Sequence, residues 1–245
     1  MTDTIQIKDL CKSFYVDGRE LEVLKHLDLC VPAKEITVLL GRSGCGKTTL
    51  LRLIGGLDKD YTGTITTPHS GTPAFVFQEA RLMPWLTVAQ NIAFGLKKKE
   101  IDPQKIDRLI SLTGLEGFSQ ALPRQLSGGM QQRTALARAL ALEPEFILMD
   151  EPFAALDHFT REKMQQVLLQ IHKTNRCGVL FVTHSIDEAL AIADRIVILE
   201  NHQAKKVYPV GSAWRASCTE EERRTLRQDI LSSIELNETT KGDLK

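Results

Sequence analysis

The stretch ITVLLGRSGCGKTT, residues 36–49, decides the fold. Its opening, ITVLLG at 36–41, is a short unbroken apolar run, the pattern of a strand buried on both faces. GRSGCGKTT at 41–49 then fits G-x-x-x-x-G-K-[ST], placed between that strand and a helix that starts at Gly46. Glycines let the backbone curl until successive N–H groups converge on phosphate oxygens, and the helix N-terminus adds positive potential. Gly41, Arg42, Ser43, Gly44, Cys45, Gly46, Lys47, Thr48 and Thr49 are therefore candidate nucleotide-phosphate ligands. Lys47 is expected to reach the β- and γ-phosphates, and the Thr48 hydroxyl to ligate Mg²⁺. Cys45, at the helix N-terminus and beside Lys47, is expected to be an activated thiol.

Outward from this loop, IQIKDL and VLKHLDLCV read as strands, as do GTITT and AFVFQ (74–78) on either side of the turn TPHSGTP (67–73). Thr87 with Gln90 is a capping-box pattern for a helix through about Leu96. Asp102-Pro103 opens another helix, with Ile106, Leu109, Ile110 and Thr113 at helical spacing, and Ser127 caps a third. From Phe146 strands and helices alternate: FILMD, a helix near 158–174 with Met164, Val167, Leu168 and Ile171 on one face, VLFVTH, a helix from Ile186 to Ala193, and RIVILE. Buried β-runs alternating with amphipathic helices imply a mostly parallel sheet covered by helices. The fold class is thus α/β, with N-terminal antiparallel strands and an inserted helical subdomain. One domain is expected over 1–245: an α/β core of 1–78 and 146–200, a helical subdomain of 79–145, and a tail of 201–245 whose charged helix is solvated.

With 245 residues, 42% hydrophobic and 25% charged, the chain can bury a core without disulfide or metal staples. Lys+Arg and Asp+Glu both number 31, so no basic excess points to nucleic acid. The 5 cysteines form no C-x-x-C pair, which fits a reducing compartment. The N-terminus lacks the apolar core of a signal peptide, and no stretch is long and uncharged enough for a membrane span.

Two further strings carry chemistry. FILMDEP, at 146–152, ends a buried strand in two carboxylates. Beside a phosphate loop, Asp150 is placed to hold Mg²⁺, and Glu151 to orient or deprotonate an attacking water. LSGGMQQR, at 126–133, stands ahead of a helix.

LSGGMQQR resembles the signature of ATP-binding cassette ATPases, and the order of Gln78 after AFVF, AALD ending at Asp157, and His184 in VTHS is similar to that family over roughly residues 5–200. The resemblance implies a P-loop NTPase core that hydrolyses ATP. It also implies a head-to-tail dimer in which Ser127, Gly128 and Gly129 of one copy close over the γ-phosphate in the cradle of the other. On the same ground Gln78 touches Mg²⁺ or the attacking water, Asp157 links the two sites, His184 holds the γ-phosphate, and either Phe14 or its neighbour Tyr15 stacks on adenine, Phe14 being preferred. FQEARLMPWLTVAQNIAFGL, DEPFAALDHFTREKMQ and THSIDEALAIADRIVIL look like the importer ATPases of the nitrate, sulfonate and taurine group. That likeness implies a peripheral ATPase on the cytoplasmic face of the inner membrane. It would power a separate transmembrane permease fed by an extracytoplasmic substrate-binding protein, with Trp85 of the MPW segment at the docking groove. A non-transport cassette ATPase, or an importer ATPase for another small solute, is the alternative. Ser185 stands where many relatives have Asp, and His158 where small residues are common.

Overall fold

The computed structural model describes residues 4–68, 73–175 and 177–235. In chain order they form β1 (Thr4–Val16), β2 (Arg19–Pro32), β3 (Ile36–Leu40), α1 (Lys47–Ile54), β4 (Thr62–Thr66), β5 (Ala74–Val76), α2 (Val88–Ala93), α3 (Pro103–Leu112) and α4 (Gly128–Ala141). There follow β6 (Phe146–Asp150), α5 (His158–Asn175), β7 (Gly178–Thr183), α6 (Ile186–Ile192), β8 (Arg195–Glu200), β9 (Gln203–Pro209), α7 (Ser212–Ser217) and α8 (Glu220–Glu235). The expected turn at 67–73 falls partly, at 69–72, outside the described residues, as does the end of the tail from 236. The chain divides into two units, Met1–Pro68 with Leu180–Lys245, and His69–Val179.

In the first unit, β2, β1 and β4 form an antiparallel sheet in that order. The β1–β2 hairpin turns at Asp17-Gly18, both with positive φ, as a two-residue turn requires if it is to match the twist of its strands. Ile5, Ile7 and Leu10 face inward and are buried. A second set of strands runs β7-β3-β8-β9. Every residue of β3 is buried, and β3 pairs in parallel with β8 from Thr37↔Arg195 to Leu40↔Ile198. This ladder carries the phosphate loop, which leaves the end of β3 at Gly41.

β9 corrects the sequence reading, in which the tail after residue 200 holds only a helix. It returns antiparallel to β8 through Asn201-His202, both at positive φ. Its residues are mostly exposed and include Lys205 and Lys206, so no apolar alternation announces it; lysines on such a strand discourage pairing with other chains. α8 is charged, as expected, but it is seated: Ile230 is fully buried, Lys206 donates to Asp229 at 2.8 Å, and the Tyr208 and Ser233 hydroxyls lie 2.9 Å apart.

In the second unit β5 pairs in parallel with β6, from Ala74↔Ile147 to Val76↔Met149. Between them come α2, α3 and α4. The Thr87 side chain accepts from the Gln90 N–H while Gln90 returns the bond, completing the capping box that starts α2. α2 stops at Ala93, short of the expected Leu96, because Phe94 turns extended and Gly95 takes φ 101°. Asp102 caps α3 ahead of Pro103, and Ser127 caps α4 by accepting from the Met130 N–H. Val88, Ile92, Ile106, Ile110, Leu115 and Leu126 pack with Ala137 and Ala141 of α4 into a local core. Each large side chain buried there contributes about 1.5–3 kcal/mol. On α5 the expected face of Met164, Val167, Leu168 and Ile171 is buried. Among the described residues no helix is long and apolar enough to cross a membrane. The α/β class, the antiparallel N-terminal strands and the helical run between parallel strands are those the sequence predicts.

Asn91, fully buried on α2, holds the segment that carries Trp85. Its Oδ1 accepts from the Met83 N–H at 2.8 Å, and its Nδ2 reaches the carbonyls of Met83, Leu86 and Thr87 at 3.2, 2.9 and 3.1 Å. Asn91→Ala would strand several of these groups, each costing about 1–3 kcal/mol when left unsatisfied. A loss of about 2–4 kcal/mol in urea unfolding is expected.

Candidate functional site

Two loop glycines are required by packing. A Cβ on Gly46, which sits at φ 101°, would lie 2.7 Å from the Val23 carbonyl oxygen and 2.8 Å from Leu24 Cδ2. One on Gly41 would strike the Leu199 carbonyl oxygen of β8 and stand 2.7 Å from Cys45 Sγ. Gly44 faces open space. The Lys47 ammonium is buried and donates to the carbonyl oxygens of Gly41 and Arg42, both at 2.8 Å. The loop is thus curled around its own cation, with the N-terminus of α1 behind it and no acid in the first turn of that helix. Arg42, Ser43 and Gly44 are exposed, while Thr48 and Thr49 are half-buried. A concave ring of backbone with one ammonium and a helix N-terminus fits a polyphosphate.

Cys45 departs from expectation. Its Sγ turns inward, 3.7 Å from Lys47 Nζ, and burial pushes the thiol above its ordinary value even though the ammonium pulls it down. The side chain packs beside Gly41 and Lys47.

Also in the first unit, His184 directly follows β7, the strand next to β3, and its side chain is exposed. Ser185 caps α6 by accepting from the Glu188 N–H at 3.3 Å. Glu188 in turn takes a 2.5 Å bond from the Thr183 hydroxyl, so both neighbours of His184 are tied down. The S-x-x-E spacing was the signal for this arrangement. Ser185 thereby does the capping that an Asp does equally well. Phe14 is 39% exposed and Tyr15 78%. The Lys12 ammonium lies 4.7 Å from the Phe14 ring centre and is held by Asp58 at 3.0 Å and Asp60 at 3.2 Å. Phe14 is the braced ring of the pair.

In the second unit, Asp150 ends β6 and is buried, and Glu151 follows at φ 43°. A left-handed backbone at a non-glycine residue is strained, and here it turns the chain just where the carboxylate is presented. Gln78 lies two residues past β5, at the same end of the parallel β5–β6 pair as Asp150. Its loop is clamped by α4: Gln132 Nε2 donates to the Phe77 carbonyl at 2.8 Å, and Arg138 donates to the carbonyls of Arg81 and Ala80 at 2.8 and 2.9 Å. No local pattern marks Gln132 or Arg138, whose partners lie more than fifty residues away in the chain. Ser127 and Gly128 are exposed at the start of the same helix and Gly129 is half-buried. Asp157 caps α5, its two oxygens taking the Thr160 N–H at 3.0 Å and hydroxyl at 2.6 Å; the hydroxyl bond, then the N–H bond, hold its carboxyl below the usual range. Trp85 is 71% exposed, which excludes a core role.

Comparison with known proteins adds a family match, two relatives and a solved structure. A family model described as ABC transporter matches residues 24–154. The chain is 44% identical, over 97% of its length and 96% of the relative's, to the aliphatic sulfonates import ATP-binding protein SsuB of Bacillus subtilis (strain 168). It is 50% identical, over 72% of its length and 74% of the relative's, to aliphatic sulfonates import ATP-binding protein SsuB 1 of Pseudomonas savastanoi pv. phaseolicola. Among solved structures it is similar to the dimeric post-hydrolysis state of the ATP-binding cassette MJ0796 bound to ADP and Pi. That likeness has a TM-score of 0.78 at 30% identity, covering 84% of this chain and 98% of that one.

Cys45, inward-facing with a raised pKa, should label with maleimide at neutral pH more slowly than exposed Cys30. Mass mapping of a labelling time course checks this; faster modification of Cys45 would mean that the loop opens in solution.

Proposed function

The chain belongs to the ABC transporter family, and from that premise we propose that it is the ATP-hydrolysing subunit of an importer for aliphatic sulfonates or a closely similar small anion. The observation that carries the reading is the loop of residues 41–49 curled around Lys47, in a chain whose sulfonate-importer relative matches it almost end to end. Residues 1–78 and 146–200 act as the nucleotide-binding core, and 79–145 as the signature subdomain.

In this reading Lys47 exchanges its two loop carbonyls for β- and γ-phosphate oxygens, trading neutral hydrogen bonds for charge-assisted ones. Backbone N–H groups from Gly41 to Thr49 take the remaining oxygens. Phe14 stacks on adenine, its other face braced by Lys12. The Thr48 hydroxyl, the Asp150 carboxylate and the Gln78 amide oxygen are hard oxygen donors of the kind Mg²⁺ prefers. When bound, Mg²⁺ supplies neutralisation of charge on the β- and γ-oxygens. Glu151 accepts a proton from the attacking water as its oxygen bonds to the γ-phosphorus; the bond to the β-bridging oxygen breaks, leaving ADP and phosphate. His184 donates to the γ-phosphate, and Ser127, Gly128 and Gly129 of a second copy close over it. The dimeric form of the solved cassette supports that pairing.

A transmembrane permease is the proposed partner on the other side, reached through the loop after Gln78. The exposure of Trp85 and its anchoring by Asn91 support this, and so does the importer name of the relatives. The clamp of Gln132 and Arg138 then ties the docking loop to the signature helix. The subunit is peripheral, on the cytoplasmic face of the membrane, with an extracytoplasmic binding protein delivering the cargo.

Glu151→Gln should keep ATP binding, slow phosphate release by about 10²–10⁴-fold and accumulate an ATP-bound dimer on gel filtration. Hydrolysis at the wild-type rate would remove Glu151 from its role. Trp85→Ala should lower permease-stimulated ATPase activity in reconstituted vesicles more than the basal rate of the isolated chain. Equal losses in both assays would exclude Trp85 from docking.

A further inference from the structure

We propose that Asp9, Cys11 and His26 form a binding site for a divalent transition metal of the zinc class, joining β1 to β2 through one carboxylate oxygen, one thiolate and one imidazole nitrogen. Among the described residues they are a group whose ligand atoms all lie within 4.8 Å of one another. All three belong to the first unit, and of the residues assigned above only Lys12, Phe14 and Tyr15 lie close to them in sequence.

The site is made by paired irregularities in two strands. β1–β2 pairing slips between Ile7 and Leu10 and again between Leu10 and Lys12. At these slips Asp9 takes φ 51° and His26 takes φ 42°, left-handed conformations at two non-glycine residues, one on each strand. A regular pair of strands would send alternate side chains to opposite faces; bulges re-aim them. Asp9 and Cys11, two residues apart, share a face of β1, and the slip puts that face outward: Ile5 and Ile7 are buried before it and Leu10 after it, which leaves Asp9 exposed and Cys11 half-buried. The Asp9 N–H is anchored by Asp28 Oδ1 at 2.9 Å. Strain of this kind at Asp9 and His26, with the Cys11 sulfur beside them, points to a site.

The geometry separates a chelate from a catalytic relay. A nucleophile–imidazole–carboxylate relay uses both ring nitrogens, one for each partner. In this protein the carboxylate and the sulfur converge on the same nitrogen: His26 Nδ1 is 2.6 Å from Asp9 Oδ1 and 3.8 Å from Cys11 Sγ. Three donors of different softness, all within 4.8 Å of one another, can supply one face of a tetrahedron around an ion. In a four-coordinate zinc site the sulfur–nitrogen separation is about 3.5 Å and the nitrogen–oxygen separation about 3.4 Å, from bond lengths of about 2.3 Å and 2.0–2.2 Å. The sulfur is already near its place; the carboxylate moves back as the metal replaces the hydrogen bond. His26 and Asp9 side chains are 63% and 73% exposed, which gives the ion a path in and leaves the fourth position to water. Thiolate with imidazole selects zinc-like ions over Mg²⁺ or Ca²⁺. On binding, three metal–ligand bonds form, the Cys11 thiol proton leaves to solvent, and the imidazole proton moves from Nδ1 to Nε2, so one proton is released per metal.

The test is a Co²⁺ titration of the full chain without nucleotide, followed by displacement with Zn²⁺. Expected are a thiolate-to-cobalt charge-transfer band and four-coordinate ligand-field bands at one metal per chain, bleached by Zn²⁺. Both should be lost in Cys11→Ser and strongly weakened in His26→Gln, yet kept in Cys30→Ser and Cys45→Ser. Zn²⁺ should raise the melting temperature of the wild-type chain and leave that of Cys11→Ser unchanged, the two proteins melting alike in chelator. A titration without a thiolate band, a band that survives Cys11→Ser, or an equal Zn²⁺ shift in both proteins would overturn the site. Because the readouts are spectral and thermal, the result stands apart from the ATPase reading.

Discussion

A buried ammonium surrounded by carbonyl oxygens organises this protein. Lys47 reaches back to Gly41 and Arg42, so the loop between β3 and α1 closes on its own cation. That closure is feasible only because Gly46 and Gly41 have no Cβ to collide with Val23, Leu24 and Leu199. Those neighbours come from β2 and β8, so the cradle depends on strands that are distant in sequence. The fully apolar β3 keeps its end fixed against β8. A loose β3 would move the loop glycines off the backbone they lean on, and the ring of N–H groups would lose its convergence.

The second unit achieves similar order by other means. α4 is rich in small residues, which lets it approach α2 and α3 and leaves its polar residues free to tie loops. Gln132 and Arg138 use that position to hold the segment from Phe77 to Arg81, where Arg81 adds a cation–π contact, 4.1 Å from the Phe77 ring centre. The helix that begins with Ser127 is therefore mechanically continuous with the loop that begins at Gln78. Displacement of that loop therefore strains the bonds that hold it to the helix.

Some of the non-glycine residues at positive φ, such as Asp17, Asn201 and His202, make hairpin turns, and others lie in loops or irregular strands. Glu151 turns at 43°, Arg81 at 45°, and Asp9 and His26 at 51° and 42°. Each lies at a strand end, in a clamped loop or in a bulge, where surrounding hydrogen bonds over-determine the backbone. The strain keeps side chains in directions that a relaxed strand or turn would not choose.

Much of the fold and of the loop at 41–49 was legible in the sequence, since it rests on local chemistry: glycines at set spacing, a lysine one residue inside a helix, caps at Thr87, Asp102 and Ser127, and unbroken apolar runs for buried strands. Other features were set by tertiary structure. β9 has no apolar period of its own and exists because β8 offers a partner. Cys45 looked activated from its neighbours in the chain, yet its sulfur turned inward beside Gly41, and desolvation outweighed the nearby charge. Gln132 and Arg138 are ordinary polar residues of a helix until their partners arrive from more than fifty positions away. Asp9 and Cys11 lie on one strand and His26 on another, so their meeting depends on the pairing and register of β1 with β2. Bonds made within a turn or two leave a pattern in the residues that make them, whereas contacts across the chain are settled by packing and register, which no short stretch of sequence contains.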